Sequence, residues 1–552
     1  MTETLNPQTL ADEMPESTPS SDTPDRPVTT GSVWWAALSG LLAAAAALAT
    51  GEIMSGFSQS IPSLVVGIGE IFTAETPGGI IRWSINTFGT DQKTILTTGI
   101  TITALAVGAV LGANSLKNRK VGIVGFAAFG ILGGWAAARA ALSADGWSWI
   151  SAILSAGVGI AVLLSLLNHL PFRAKTGSGA ATMISTPDRR SFLGFAGGAT
   201  FFALFGTGLG RALRSNQSVE GAREQIAANL GATSSTDGGV AATQEAVASG
   251  GTFDSIDGIS SIITPNDDFY LIDTALRKPQ IDPATWRMRV TGMVDNEIEL
   301  SFDDLLAMDQ IEETITLSCV SNQVGGNLVG NAVWTGVPLA TLLDMAGIQE
   351  GADQLASRSV DGWTCGFPTE IALDGRPAMV ALTMNGEPLP VDHGFPARLV
   401  VPGLYGYVSA TKWLSEIELT TWEGFDGYWI PRGWGKEGPI KTQSRIDVPR
   451  SGQRIPPGPA AIAGVAWAPH KGIERVEVSI DDGPWMEADL SNELSDNAWR
   501  QWMIEWDAVP GEHDVKVRAT DSTGETQTDM IVPPAPDGAT GHHGVSFIVN
   551  GA

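Results

Sequence analysis

The amino-acid sequence predicts three structural parts: an N-terminal multi-pass α-helical membrane domain, an α+β domain, and a C-terminal all-β immunoglobulin-like sandwich. Three patterns in the 552 residues support this prediction. Five apolar runs of membrane-spanning length lie in the first 214 residues. From about residue 251, short strand-like and helix-like segments are mixed. Residues 458–531 contain short alternating runs separated by Gly, Pro and Asp turns.

The predicted membrane domain covers residues 33–214 and follows a tail, residues 1–32, that is rich in Thr, Ser, Pro and acidic residues. We expect this tail to be disordered and cytoplasmic because it has almost no apolar surface to bury. The apolar runs lie at about 34–55, 94–113, 121–141, 149–169 and 192–211. A shorter stretch, Ile61–Phe72, contains Pro62 and Glu70, so we interpret it as interfacial or re-entrant.

Two basic loops indicate the orientation of the five spans. The positive-inside rule places basic loops in the cytoplasm. Five spans then leave the N-terminus inside and everything after Arg214 outside, so the sequence predicts a cell-membrane protein with its later domains on the extracytoplasmic side. The basic residues are Lys117, Arg119 and Lys120 after the second span, and Arg173, Lys175, Arg189 and Arg190 before the fifth.

The segment Asp188-Arg189-Arg190-Ser191-Phe192-Leu193, before the fifth apolar run, resembles a twin-arginine export signal. An Arg-Arg pair is also a common basic anchor at the start of a helix. The following Phe-Leu and the Gly/Ala-rich run favour export, a route that carries proteins already folded around a cofactor.

Composition excludes some classes of function. The whole chain has 33 Lys and Arg against 60 Asp and Glu, whereas residues 33–214 have 12 against 6. The strongly acidic remainder argues against nucleic acid as a partner, since phosphate binding requires a basic face. Cys319 and Cys365 are the only cysteines, which leaves one bridge open if the domain is exported. No H-x-x-x-H or C-x-x-C spacing supports zinc or c-type haem.

The remaining boundaries follow from local patterns. Residues 215–250 are predicted to be a linker with a short helix near 219–230, residues 251–447 the α+β domain, and residues 448–552 the β-sandwich. In the α+β domain, Trp286–Val294 and Thr314–Cys319 are predicted strands, and Phe302–Ala307 and Pro338–Met345 predicted helices. The predicted strands of the sandwich are Ala461–Trp467, Arg475–Ile480, Trp499–Trp506 and His513–Ala519.

The most informative stretch for chemistry is T-I-T-L-S-C-V-S-N-Q-V-G-G, residues 314–326. A buried-looking strand delivers Cys319 to the start of a glycine-containing loop. A thiolate there can act as a nucleophile or as a ligand of a soft metal. On residue types alone a structural cysteine is the default interpretation.

A second stretch runs from Gly386 to Leu414 and contains V-D-H-G-F-P-A-R-L-V-V-P-G and T-K-W-L. Arg398 and Lys412 are suited to clamp a phosphate, and backbone amides near Ser409–Thr411 would complete such a cradle. The alternative is an ordinary strand–turn–strand unit with surface charges.

Together the two stretches resemble the sulfite oxidase family of molybdopterin enzymes. T-L-S-C-V-S-N is similar to the metal-ligand segment of that family, with Cys319 in the place of the cysteine that binds molybdenum. The second stretch is similar to its pterin-binding segment, and T-P-N-D-D-F-Y, residues 264–270, to its opening cofactor contact. The resemblance covers roughly residues 260–530, and its C-terminal portion resembles the family's immunoglobulin-like dimerisation domain.

The resemblance implies a sulfite-oxidase-type molybdopterin domain and a molybdenum–molybdopterin cofactor, with the metal held by Cys319. It also implies a homodimer and two-electron oxygen-atom transfer to or from a small-molecule substrate. The cofactor-binding residues that it implies are Asn266, Phe269, Tyr270, His393, Arg398 and Lys412, with a further contact from residues 358–363, for which Asp361 is the candidate. Ser409 and Thr411 are cofactor-binding candidates from the backbone cradle described above.

The chain departs from sulfite oxidases proper around the substrate. Those enzymes follow the ligand cysteine with arginines, which suit an oxyanion, whereas here Val-Ser-Asn-Gln follows Cys319. At the position that resembles the family's active-site tyrosine, this chain has P-R-G-W-G-K, with Trp434 in place of the tyrosine. Arg432 is the candidate catalytic cation, and Lys441 is a further one. A small, sulfite-like sulfur compound is the first substrate hypothesis, and an S- or N-oxide of the methionine sulfoxide type is the alternative.

The electron partner is predicted to be a separate haem protein or a quinone-linked protein. A bis-histidine haem in the bilayer needs two histidines, and the membrane domain has only His169. Two hypotheses from other classes stay open. A catalytically silent membrane-anchored scaffold has no need of Cys319 with Arg398 and Lys412, and a transporter is disfavoured by few intramembrane charges and no evident repeat.

Overall fold

The computed structural model describes residues 30–143, 145–170, 189–233 and 251–551. Nearly all of the predicted tail lies outside these residues, as do most of the basic segment before the fifth apolar run and the second half of the predicted linker. The rest of the chain has the predicted order, from helices to a mixed region to a β-rich C-terminus.

The N-terminal part is helical. Five of its helices (α1, α4, α5, α6 and α7) are long and apolar enough to cross a membrane, as judged from their length and composition. They coincide with the five predicted apolar runs. α2 has 12 residues and α3 has 11, too few for a span. The helices are α1 (Thr30–Phe57), α2 (Leu64–Glu75), α3 (Gly78–Phe88), α4 (Gln92–Asn114), α5 (Arg119–Ala138), α6 (Asp145–Asn168), α7 (Arg189–Ser215) and α8 (Glu220–Thr233).

Small residues allow the long helices to approach closely. A Cβ atom added to Gly40 in α1 would lie 2.0 Å from the carbonyl oxygen of Gly108 in α4. A Cβ atom added to Gly210 in α7 would lie 2.4 Å from the carbonyl oxygen of Glu52. Close backbone contact through glycine is the usual way in which helices pack in a bilayer.

The helical part contacts the rest of the chain directly. Gln280 donates its backbone N–H to Gln59 Oε1 at 2.7 Å, and the guanidinium of Arg277 donates to Gln217 Oε1 at 2.9 Å. Arg432 Nη2 donates to the carbonyl oxygen of Ala74, at the end of α2, at 2.7 Å. The short helices α2 and α3 therefore lie against the α+β part.

The α+β part contains two five-stranded sheets, with the orders β2-β1-β10-β5-β6 and β3-β4-β7-β8, in which β9 also pairs with β7. All pairs are antiparallel except β1 with β10. The strands are β1 (Arg287–Gly292), β2 (Ile298–Ser301), β3 (Ile311–Ser318), β4 (Val329–Pro338), β5 (Gln354–Ser359), β6 (Thr364–Pro368), β7 (Met379–Met384), β8 (Glu387–Pro388), β9 (Arg398–Val400) and β10 (Leu414–Thr420). The α-helices are Phe302–Ala307, Leu339–Ala346 and Gly406–Ser409.

Local sequence explains several of these elements. The helix Phe302–Ala307 has the predicted bounds and begins with a capping box, in which Ser301 and Asp304 satisfy each other's backbone N–H groups. The strand predicted over Thr314–Cys319 is the second half of β3, whose last five residues are buried. The helix predicted near residues 219–230 is α8.

The C-terminal part consists of two sheets, with the orders β11-β13-β17-β16 and β12-β19-β18-β14-β15. Their apolar side chains form one core that includes Ile462, Val478, Trp502 and Phe547. β11 pairs with β13, so the sheet includes residues on both sides of the predicted boundary at 447/448. The strands are β11 (Gln443–Val448), β12 (Arg454–Ile455), β13 (Gly458–Trp467), β14 (Ile473–Ile480), β15 (Met486–Glu487), β16 (Asp489–Leu490), β17 (Arg500–Ala508), β18 (Gly511–Asp521) and β19 (His543–Val549).

Candidate functional site

Cys319 lies immediately after β3, at the start of a tight loop. Its backbone N–H donates to Leu328 O at 2.9 Å, and its carbonyl oxygen accepts from Asn322 N at 2.9 Å. The side chain is 8% exposed. Burial raises the pKa of the thiol, while hydrogen bonds from Ser321 act in the opposite direction. A sulfur in such surroundings becomes a stable thiolate when a metal ion binds it.

The C-terminal sheet holds the cysteine loop in place. Arg445, in β11, donates through Nη1 to Gly326 O at 2.9 Å, and its Nε forms an ion pair with Asp447 at 2.6 Å. Within the loop, Asn322 Oδ1 accepts from Leu328 N at 2.9 Å. The position of the thiol thus depends on contacts from both the α+β part and the C-terminal part.

The predicted opening segment meets the second stretch, although the two are more than 120 residues apart in sequence. The carbonyl oxygen of Asn266 lies 2.9 Å from His393 Nε2. The ring of Phe269 is stacked on Tyr270 at 5.2 Å and meets the His393 ring edge-on at 5.5 Å. The structure therefore brings four of the predicted cofactor residues together.

The hydrogen bond of His393 defines its tautomer. Because a carbonyl oxygen only accepts, Nε2 carries the proton and Nδ1 presents a lone pair. Burial, reinforced by the nearby charge of Arg398, lowers the pKa of His393 to about 4, so the ring is neutral at neutral pH. Nδ1 is buried and has no hydrogen-bond partner among the described residues. His393 Nδ1 is therefore a hydrogen-bond acceptor that receives no hydrogen bond from the described residues.

Arg398, at the start of β9, is a buried cation. Its side chain is 4% exposed, and its guanidinium lies 5.0 Å from the centre of the Trp334 ring. Nη1 donates to His393 O at 3.1 Å, whereas Nε has no partner in the part of the chain that the structure describes. Burial lowers the pKa of Arg398 to about 10. A buried guanidinium with so few partners favours an anionic ligand.

Lys412 is a second buried cation on the same side. Its Nζ donates to Asp392 O at 2.8 Å and forms an ion pair with Asp273 at 3.1 Å. Burial lowers the pKa of Lys412. Burial alone would raise the pKa of Asp273, but Lys412 and Lys93 together hold it below its ordinary value.

Tyr270 interacts electrostatically with both the Cys319 thiol and Arg398. Burial raises the pKa of its hydroxyl, Cys319 raises it further, and Arg398 acts in the opposite direction. Burial raises the pKa of the Tyr405 hydroxyl to about 12, and Cys319 adds to this increase. A hydrogen bond that Tyr405 accepts from the backbone of Lys441 acts in the opposite direction.

Three further predicted cofactor residues have protein partners. Ser409 Oγ donates to Tyr405 O at 3.1 Å, and Thr411 Oγ1 lies 2.6 Å from Ser357 Oγ. These hydroxyls therefore bond within the fold, and the expected cradle there would have to use backbone amides. Asp361 accepts from Trp363 N at 3.0 Å, and burial raises the pKa of its carboxyl.

Arg432, the predicted catalytic cation, lies at the contact with the helical part. Its guanidinium lies 3.8 Å from the centre of the Tyr428 ring and donates to Tyr428 O at 2.6 Å and to Ala74 O at 2.7 Å. A cleft of about 560 Å³ adjoins it, lined by Gly78, Gly79, Pro431, Gly433, Ala535 and Pro536. No local pattern in the sequence indicates this contact, because Ala74 and Arg432 are 358 residues apart.

Both cysteines are free, so the bridge that the sequence left open does not form. Cys365 Sγ lies 3.1 Å from Thr411 Oγ1 and 3.2 Å from Ser357 Oγ. Burial raises the pKa of the Cys365 thiol to about 11. Cys365 is a small side chain that is buried in the fold.

Sequence reasoning missed Asp273, Trp334 and Tyr405. Asp273 lies three residues after the end of the opening segment, and an acid so close to predicted cofactor contacts was a usable signal. Tyr405 stands in the quoted second stretch, between the glycine turn and the lysine. Nothing in the local sequence marks Trp334, which lies in β4 and becomes relevant only through its contact with Arg398.

The donor set fits an anionic, metal-bearing pterin. One buried sulfur can bind a soft metal, while Arg398 and Lys412 supply positive charge. The lone pair of His393 Nδ1 and the Arg398 Nε–H are buried without partners in the described chain, as expected where a polar ligand supplies them.

Comparison with known proteins identifies related sequences. A family model described as the oxidoreductase molybdopterin binding domain matches residues 275–429, and one described as the Mo-co oxidoreductase dimerisation domain matches residues 438–533. Human mitochondrial sulfite oxidase is 30% identical over 322 residues, which cover 49% of this chain and 58% of that protein. The chain thus matches little more than half the length of this relative.

Two further comparisons differ in extent. The uncharacterised oxidoreductase YuiH of Bacillus subtilis is 36% identical over 157 residues, which cover 28% of this chain and 76% of that protein. A solved structure of the sulfane dehydrogenase SoxCD from Paracoccus pantotrophus has a TM-score of 0.46 at 23% identity, covering 53% of this chain and 85% of that one.

Proposed function

Because the chain belongs to the sulfite oxidase family of molybdopterin oxidoreductases, we propose that it is a membrane-anchored enzyme that performs two-electron oxygen-atom transfer on a small, sulfite-like sulfur compound outside the cytoplasm. The observation that carries the proposal is the buried group of Cys319, His393, Arg398 and Lys412. A binding protein without chemistry has no need of both a buried thiol and two buried cations.

Each residue has a distinct role in the proposed mechanism. Cys319 would ligate the metal, and Arg445 holds the loop that positions its sulfur. Arg398 and Lys412 would bind the anionic end of the cofactor, while His393 would accept a hydrogen bond at Nδ1. Asn266, Phe269 and Tyr270 close the site from the opening segment. When bound, molybdenum supplies a centre that exchanges an oxygen atom and two electrons.

A reductase of S- or N-oxides is the second candidate, and one observation favours it. Arg432, which was expected to supply the positive charge that an oxyanion requires, donates instead to Tyr428 O and Ala74 O. A neutral oxide needs less positive charge than sulfite does. Assays with sulfite and with methionine sulfoxide separate the two candidates.

We propose that the five long apolar helices anchor the enzyme and that residues beyond α7 face the extracytoplasmic side. The number of helices and the basic loops support this topology. Reactivity of an engineered cysteine at exposed Asp482 toward an impermeant thiol reagent in intact cells tests it. Labelling only after lysis would reverse the orientation.

We propose that the C-terminal part is an immunoglobulin-like module that pairs two copies of the chain. Its two mainly antiparallel sheets and its match to the dimerisation domain support this role.

The electron partner is proposed to be a separate haem or quinone-linked protein. His169, which directly follows α6, packs on Phe195 at 4.3 Å and bonds to Ser165 O at 2.8 Å.

The test of the enzyme proposal compares wild type with Cys319→Ser and with Cys365→Ser as a matched control, since both cysteines are buried. Molybdenum per chain is measured by mass spectrometry, and Mo(V) by electron paramagnetic resonance. We expect near-stoichiometric metal in wild type and Cys365→Ser, and a lost or altered Mo(V) signal in Cys319→Ser. Absence of molybdenum and pterin from wild type matured in a competent host would favour the scaffold instead.

A further inference from the structure

Asp273 is shared by two lysines that come from different parts of the chain. Lys412 approaches it from the cofactor site at 3.1 Å, and Lys93, in the first turn of α4, forms an ion pair with its other oxygen. The side chains of Asp273 and Lys412 are 11% and 10% exposed, whereas that of Lys93 is 41% exposed. Lys93 is therefore the outer member of a row of three charges that leads from the helical part to the cofactor site.

The charges of these three residues explain how Lys93 would affect the attraction between Lys412 and an anionic ligand. Asp273 and Lys412 alone form a neutral pair, so the carboxylate would cancel much of the attraction between Lys412 and an anionic ligand. With Lys93 the group has one net positive charge. Because Asp273 and Lys412 are nearly buried, solvent screens these interactions only weakly.

The position of Lys93 in its own helix supports this interpretation. A cation in the first turn is unfavourable, because the N-terminus of a helix carries partial positive charge. Lys93 therefore gains little from α4 itself, and its ion pair with Asp273 is the favourable interaction at that end. Contacts such as that between Gln59 and Gln280 hold the helical part against the segment that contains Asp273.

We propose that Lys93 is a positioning residue that the helical part contributes to the cofactor site. It balances the charge of Asp273 and so leaves the charge of Lys412 available to the anionic group of the pterin cofactor. The helical part is then a component of the cofactor site as well as an anchor. This inference rests on the proposed function, in particular on Lys412 as a cofactor-binding residue.

The experiment uses the full-length protein and measures molybdenum and pterin per chain at purification and during prolonged dialysis, so it does not depend on a known substrate. The variants are Lys93→Met, Lys93→Arg, Asp273→Asn, the double variant Lys93→Met/Asp273→Asn, and Lys412→Met. Lys516→Met is the matched control, because Lys516 forms an exposed ion pair with Asp482 in the C-terminal part. Membrane yield and intrinsic tryptophan fluorescence report on folding.

We expect Lys93→Met to lose cofactor on the order of 10-fold faster than wild type, the range that is typical when a supporting residue around a metal site is removed. Lys93→Arg and Lys516→Met should resemble wild type. The double variant should regain wild-type retention, since no carboxylate then opposes Lys412. A role of Lys93 in docking alone predicts the opposite, that the double variant is at least as defective as Lys93→Met.

Three results would overturn the inference. Wild-type retention in Lys93→Met beside clear loss in Lys412→Met removes the role of Lys93 and leaves the proposed function intact. Failure of the double variant to recover removes the charge mechanism. Normal loading of Lys412→Met shows that the lysine does not hold the cofactor, and if Cys319→Ser also loads normally the proposed function itself fails.

Discussion

Replacing Arg398 by Met should stabilise the cofactor-free protein and destabilise the cofactor-loaded one. Arg398 is 4% exposed, and burial lowers its pKa well below the ordinary value of an arginine, to about 10. The group remains charged at neutral pH, so the folded state carries the full penalty below pH 10 and loses it only as the pH rises from about 10 toward the ordinary pKa of arginine. The penalty amounts to roughly 3 kcal/mol, because one pKa unit corresponds to about 1.4 kcal/mol.

Two contacts offset part of this penalty. The cation–π contact with Trp334 and the hydrogen bond to His393 O together stabilise the charged form by about 1–2 kcal/mol. Methionine keeps the apolar contact with the indole ring. The expected net gain for cofactor-free Arg398→Met is therefore about 1–2 kcal/mol, equivalent to a rise in melting temperature of roughly 2–8 °C for a domain of this size.

The assay is thermal unfolding followed by tryptophan fluorescence, with protein from hosts that can or cannot make molybdopterin. Arg376→Met is the matched control, because Arg376 is nearly buried but forms an ion pair with Asp374 at 2.6 Å. We expect Arg376→Met to lower the melting temperature of both forms. A similar loss for Arg398→Met in both forms would refute the reasoning, since Arg398 would then be stabilised by the protein alone.

Three further predictions concern single positions. Burial, with Asp361 nearby, raises the pKa of Glu70 in α2 from 4.5 to about 7, so its contribution to stability is fully present below pH 4.5 and is lost as the pH rises from 4.5 through 7. Glu70→Gln should reduce the fall in melting temperature across this interval, and an unchanged profile would contradict this. Gly336→Ala should cost about 1–3 kcal/mol in chemical denaturation, because its Cβ atom would lie 2.2 Å from Val380 O, whereas Gly221→Ala, with open space, should not destabilise. Asn385→Ala should lower the free energy of unfolding by about 2–3 kcal/mol in chemical denaturation, because Asn385 has a φ of 54° and its side-chain amide bonds to β4 and to the opening segment. An unchanged free energy of unfolding would show that these bonds are dispensable.

Patterns that depend on near neighbours were readable from the sequence. The five apolar runs correspond to long helices. Whether such a run is long and apolar enough to form a membrane-spanning helix depends on its own residues and not on distant ones. The capping box before Phe302–Ala307 and the buried strand before Cys319 are likewise local. Family resemblance supplied what local patterns could not, namely the pairing of the Cys319 segment with the segment around Arg398.

Some contacts at the site were beyond sequence reasoning. The ion pair between Lys93 and Asp273 joins residues 180 positions apart, and the bond from Arg432 to Ala74 joins residues 358 apart. Both depend on how the helical part docks on the α+β part. Docking is the sum of many weak contacts, so no single motif encodes it.

By itself, the sequence determined the order of helical, mixed and β-rich parts and the family, and it singled out Cys319 as the candidate metal ligand. Periodicity, glycine turns and short motifs carry that information because each reflects the local backbone or the chemistry of one segment. Only the tertiary structure decided the partners of each charge: that Arg398 is buried against Trp334, that Lys412 shares Asp273 with Lys93, and that Arg432 faces the helical part. Charges act through space, and their energies depend on burial and distance, which arise only when distant segments pack together.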